Sequence, residues 1–264
     1  MLFKIEICVK DILIWCTKNG LACNSDKLTE VIHLTSRFTK HHEQIRGIYI
    51  NDVTIVPKST ARDLGVIVDS HLQMSEHVNN VCKSAYFSLR NIGKIRKYIN
   101  QEECERLVHA FITSKLDSCN SILFGLPAKE VDKLQRAQNT AARLVARSKK
   151  NEHITPVLKR LHWLPIRARI DFKILLITYK ALNNQTPIYI KDLLSSYRPS
   201  RSLRSASKNL LLVPPSNTKS YGDRAFQVAA PRLWNSMPDN IRFSNSLGSF
   251  KGLVKTILFS KYFI

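Results

Sequence analysis

At about His71 the apolar residues change their period, and that change decides the kind of fold this chain can adopt. Upstream, IYINDVTIV sets two short apolar runs around Asn51-Asp52, which reads as a hairpin, and ARDLGVIVD after Pro57 supplies a further strand. The run TEVIHL, after the turn at Asn24 to Lys27, is β-branched enough for one more strand. Downstream, Met74, Val78, Val81, Cys82, Ala85, Leu89 and Ile92 recur at three and four residues, as one face of a long helix does. Before the strands, Leu2 to Asn19 has helical spacing and a stop at Asn19-Gly20. The expected fold is therefore α+β but mainly α: a short N-terminal helix and a small antiparallel sheet, followed by a helical bundle. Domain boundaries fall at 1–69, 70–196 and 197–264.

The helical part divides at recognisable signals. Asn100 is placed to cap a helix through Leu107, Phe111 and Leu116, with Glu102 and Glu103 in its first turn. Gly125-Leu126-Pro127 ends that segment. Leu134, Ala137, Ala141, Leu144 and Val145 then line one side of a second helix, and Ile154, Val157, Leu158 and Leu161 mark a third. A proline at 165 suits the start of a fourth, from Ile166 to about Leu182, with Ile170, Ile174 and Ile177 facing a core. Pro187 opens another through Ile190 and Leu194. Tyr197 to Lys208, rich in serine and arginine, reads as a basic loop. Leu210 to Val213 is a lone strand, and Arg224–Trp234 and Ser246–Tyr262 close the chain as helices, with Pro231 placed to kink the first.

Charge gives the functional lead. The chain has 41 Lys and Arg against 20 Asp and Glu, a net +21, far beyond what solubility requires. From Lys133 to Lys208 there are 17 basic residues against three acids, so the excess is regional, as a phosphate-binding footprint is. Arg136, Arg143, Arg147, Lys149 and Lys150 lead from the second helix into its loop. Arg167, Arg169 and Lys173 come from the helix after Trp163, and the expectation is that both sets border one groove for a nucleic-acid backbone. Gln135, Gln138 and Asn139 are either solvated polar positions or amides reaching sugar and base edges. Trp163 beside His162 fits core packing better than base stacking.

Other chemistry finds little support. The six cysteines form no CxxC pair and no Cys/His knuckle, so they read as reduced and mostly buried, with no zinc site. His33 and the pair His41-His42 lack companion ligands, and Asp63 and Asp69 suit turns or caps. Lys4, Glu6, Lys10 and Asp11 interrupt the apolar opening, which excludes a membrane span there and argues against a transit peptide. Cytoplasm or nucleus is expected, not secretion.

Taken in order, WCTKNGLACNSDKLTE, LGVIVDSHLQMSEHV, SKLDSCNSILFGLP, LQRAQNTAARLV, HITPVLKRLHWLPIRARIDFK, YKALNNQTPIYIKDLL, SLRS and SYGDRAFQVAAPRLWNSMP are a series of phrases spread over nearly the whole chain. The series resembles the C-terminal part of the reverse transcriptase of LINE-type, non-long-terminal-repeat retrotransposons of the chicken-repeat-like group. The resemblance implies that residues 1–69 are the end of the polymerase palm and the rest a helical thumb and its extension. A complete enzyme of that family is expected to use Mg²⁺ held by an early palm aspartate and an adjacent Asp-Asp pair. No Asp-Asp occurs in these 264 residues, and Leu28 stands where the family has threonine. Because the family's WCTKNGL-like phrase follows the pair, this sequence is expected to begin just downstream of it, with the upstream palm as a further partner. No catalytic residue, metal ligand or cofactor carries over. The resemblance thus implies a truncated RNA-directed DNA polymerase fragment, not an enzyme on its own, that retains at most binding of RNA or an RNA–DNA duplex through phosphate contacts. The alternative is a structural remnant of a mobile element with no ligand.

Overall fold

The computed structural model describes residues 2–21, 30–35, 47–50, 53–199, 208–218 and 220–263. The expected turns at Asn24–Lys27 and Asn51-Asp52, the pair His41-His42, Leu28, Cys23 and most of the serine-rich loop lie outside them. The chain is mainly helical, with an N-terminal helix and two small antiparallel sheets ahead of the helical part. It forms two compact units, residues 1–77 and 78–264.

In the first unit, α1 (Leu2–Lys18) is followed by β1 (Ile48–Ile50) and β2 (Val53–Ile55), paired antiparallel with Ile48 opposite Ile55. Strands β3 (Thr60–Asp63) and β4 (Val66–Asp69) make a separate hairpin. One sheet is expected and two form, because ARDLGVIVD folds back on itself at Leu64-Gly65. Both turn residues take positive φ, +45° and +88°, as a two-residue hairpin turn matched to strand twist needs. TEVIHL does not become a strand: of its described residues, Ile32 makes a single bridge to Lys58. The Asp69 carboxylate has the turn role foreseen for it, accepting from the backbone N–H groups of His71, Gln73 and Met74 at 3.0, 2.9 and 2.6 Å. Helix α1 keeps large apolar side chains in solvent, with Phe3 71% and Trp15 59% exposed.

Helix α2 (Ser75–Ile95) carries the chain into the second unit and buries the expected face, Val78, Cys82, Ala85, Leu89 and Ile92, with Val81 half-buried. Asn100 caps α3 (Gln101–Val108) through a reciprocal pair: its side chain accepts from Glu103 N–H, and the Glu103 carboxylate accepts from Asn100 N–H. The expected continuation through Leu107 and Phe111 is out of phase. A π-helical turn, His109–Thr113, widens the coil before α4 (Ser114–Asp117), so Cys104, Val108, Ile112 and Leu116 are buried while Phe111 is 51% exposed.

A 3-10 turn (Asn120–Leu123) and Gly125 at φ +69° lead to α5 (Ala128–Ala146); a Cβ at Gly125 would meet the Arg224 side chain at 2.5 Å. Helices α6 (Ile154–Arg160) and α7 (Ile166–Leu182) start and end as the sequence suggests. After α8 (Ile188–Lys191) the lone strand expected at Leu210–Val213 reduces to one bridge, Ser196 to Leu211. A 3-10 turn (Gly222–Arg224), α9 (Phe226–Asn235), α10 (Asp239–Arg242) and α11 (Leu247–Phe263) close the fold.

Helix α7 is the centre of this unit, packing on α4, α5, α9 and α11. That is why it buries residues on most sides, Ile166, Ala168, Ile170, Ile174, Leu175, Thr178 and Tyr179 among them. One core gathers Leu175, Tyr179, Leu211, Trp234, Ile241, Phe250, Val254 and Leu258. Its rings are close: Tyr179 to Phe250 is 4.3 Å between centroids and Trp234 to Phe250 is 5.9 Å. Cys82 and Cys104 are buried, and burial pushes both thiols up. Cys8 and Cys119, against expectation, are exposed.

Candidate nucleic-acid interface

The basic side chains singled out from the sequence lie on α5, on the loop after it and on α7, and they do not form one row. Arg136 is exposed on α5, and Lys149 and Lys150 are exposed just beyond its end. Arg147 ends that helix at φ +54° and is exposed, donating from Nη2 to Arg96 O at 3.2 Å. Arg143 is half-buried, with Nη2 reaching Glu152 O at 3.3 Å. These five cluster along one side and the end of α5, since 136, 143 and 147 are whole turns apart.

The α7 residues divide. Two positions along a helix are about 200° apart, so Arg167 cannot share a face with Arg169, whereas Lys173 follows Arg169 at one turn. Arg167 is exposed at the edge of a cleft of about 270 Å³, whose lining includes Asn139, Thr155 and Tyr262. Arg169 turns the other way and forms a two-pronged ion pair with Asp117, Nε to Oδ1 at 2.7 Å and Nη2 to Oδ2. Its charge is answered within the protein. Lys173 is half-buried beside it in a pocket of about 720 Å³. The single groove bordered by both helices is therefore not what forms: α7 offers Arg167 on one side and the Arg169 and Lys173 pair on another.

The amides of α5 have a structural task. Gln138 Nε2 donates to Leu164 O and Gln135 Oε1 accepts from Ile166 N–H, both at 2.9 Å, while Gln135 Nε2 donates to Gln138 and Asn139. Together they hold the break before α7, where Pro165 cannot donate and Ile166 N–H has no helical partner. Trp163 is in the core as foreseen, 5% exposed, with Nε1 donating to Glu105 Oε1 at 3.1 Å.

Asp171, one turn after Arg167, is held up to about 6 by burial, against which Lys261 and Arg167 pull it down. Burial first, and then Asp171, pushes the neighbouring Tyr262 hydroxyl up. Because the native carboxyl binds its proton more tightly than the unfolded one, whose ordinary value is 3.8, stability from this group falls as pH rises from about 4 through 6. Asp171→Asn should accordingly stabilise the protein at pH 7 by roughly 1–2 kcal/mol and leave it unchanged near pH 3.5, where both side chains are neutral. Urea unfolding at the two pH values tests this; an equal effect at both would show that the buried charge is not the cause.

The sequence did not point to Lys255, His109, Asn120 or Phe259, which join Arg169 and Lys173 around the larger pocket. They come from the π-helical turn, the 3-10 turn at Asn120 and α11, and no short-range spacing links α11 to the other two. Among the described residues no helix is long and apolar enough to cross a membrane. Comparison with known protein families, with curated proteins and with solved structures found no match.

Proposed function

We propose that this chain is the palm-end and thumb part of a LINE-type retrotransposon reverse transcriptase, and that it grips RNA or an RNA–DNA duplex through the phosphates, with no catalysis of its own. The ordered series of family phrases supports the identity. The observation that carries the binding role is the exposed series Arg136, Arg147, Lys149 and Lys150 along α5 and just past its end, in a stretch with 17 basic residues against three acids. Arg167 extends the footprint, although Asp171 beside it offsets part of its field. Arg169 contributes little, because Asp117 neutralises it.

Phosphate binding releases counterions, so affinity falls with salt, and each phosphate no longer neutralised flattens the slope of log affinity against log salt by about 0.9 on duplex DNA. Replacing Arg136, Lys149, Lys150 and Arg167 with alanine should weaken duplex binding and reduce that slope by roughly 2–3, with no change in sequence preference and an intact helical circular-dichroism spectrum. These side chains are exposed, so folding should survive. Retention of both affinity and slope would reject this interface. If replacing Arg198, Arg201 and Arg204 then abolished binding, the interface would lie in the serine-rich segment. If that also left binding unchanged, the ligand-free remnant would be the better reading.

A further inference from the structure

The pocket between α7 and α11 has a chemistry that phosphate gripping along α5 does not use. Its volume, about 720 Å³, lies within the range of sites that enclose small organic ligands. Lys173 and Lys255 stand in its wall with no acidic partner among the described residues, and Lys255 Nζ lies 5.9 Å from the centre of the Phe172 ring. Phe172, Phe259 and His162 supply ring surface, His162 and Phe259 being 5.6 Å apart between centroids. Asn120 also lines the pocket and is 2% exposed. Its Nδ2 donates to Asp117 Oδ1 at 3.4 Å, while its Oδ1 is buried with no partner among the described residues. The wall on the α3 side is the π-helical turn, which contributes His109.

We infer that this pocket binds a nucleoside monophosphate unit, with the phosphate on Lys173 and Lys255 and the base against Phe172 and Phe259. Arg169, tied to Asp117, shapes the wall and keeps Asp117 from repelling the phosphate. The same unit could arrive as a free nucleotide or as an unpaired nucleotide at the end of a strand; the second source rests on the binding role proposed above.

Isothermal titration of the full chain with AMP and inorganic phosphate tests the pocket without reference to duplex binding. AMP should bind saturably, about tenfold more tightly than inorganic phosphate, because only AMP brings a base to the rings. Lys173→Ala and Lys255→Ala should each lower AMP affinity by about tenfold. Lys255 is exposed on α11, so its replacement separates removal of a ligand-binding charge from damage to the fold. AMP that fails to saturate, AMP no tighter than inorganic phosphate, or AMP affinity unchanged in Lys255→Ala would each overturn the assignment. A blunt duplex and the same duplex with a one-adenosine overhang then distinguish the sources: tighter binding of the overhang, abolished in Lys255→Ala, assigns the pocket to a strand end, and equal binding assigns it to the free nucleotide. Absence of salt-dependent binding to the blunt duplex with AMP titration intact would reject the interface on α5 and leave the pocket standing.

Discussion

Replacing Trp234 with alanine should remove a large share of the stability of the second unit. The indole is 1% exposed, lies in the core with Phe250 and Tyr179, and donates from Nε1 to Asn209 O at 2.8 Å. Emptying such a site costs about 3–5 kcal/mol from lost burial and the cavity left behind, against a total stability on the order of 5–15 kcal/mol for a domain. Asn209 belongs to the strand-like segment that Asn235 also holds, accepting from Leu211 N–H at 2.9 Å and donating to Leu211 O at 2.8 Å. Trp234→Phe should lose less, about 1–2 kcal/mol, for the missing donor and the smaller ring. Urea unfolding followed by circular dichroism distinguishes the two. A loss below about 1 kcal/mol in the alanine variant would mean that Trp234 is not a keystone of this core.

Arg96→Met should be nearly as damaging, although a charge is replaced by an apolar side chain of similar length. Arg96 is 8% exposed and donates to Leu144 O at 2.8 Å, Ile99 O at 2.8 Å and Val145 O at 2.9 Å. Two of those carbonyls belong to the last turn of α5, where no further helical N–H exists to satisfy them. Their negative partial charge favours a cation there. Loss of the guanidinium strands three acceptors and should cost about 2–4 kcal/mol. Arg96→Lys should recover little, because a point charge on a flexible stem cannot reach three oxygens as a planar fork does. Equal stability of wild type and the Met variant in urea would contradict this account.

Arg96 also shows where the sequence could and could not be read. Net charge counts every guanidinium alike, yet Arg96 and Arg242 are buried among backbone carbonyls and Arg169 is answered by Asp117. Burial of a basic group depends on which helix ends lie nearby, and that is a tertiary fact. The helices themselves were legible because their information is local: Asn100 and Glu103 fix the start of α3, Pro165 that of α7, and the spacing from Met74 to Ile92 the buried side of α2. The β3–β4 hairpin was missed because its turn is Leu64-Gly65 and lacks the usual Asn or Asp. The pocket was not legible at all, since Lys173, Lys255 and Asn120 come to line it only through the packing of α7 on α11 and on the 3-10 turn at Asn120.

The π-helical turn after α3 gives that pocket a dependence on length. A π turn behaves as an α-helix with one residue inserted, and each added residue rotates everything downstream by about 100°. Asp117 and Asn120 lie beyond the turn, and Cys104 and Val108 before it. Side-chain identity alone therefore does not specify the site: two sequences could agree at every lining position, and the one shorter by a single residue between 109 and 113 would swing Asp117 away from Arg169. Gaps in this segment, which a search for matching residues tolerates, would separate chains that keep the pocket from chains that have lost it.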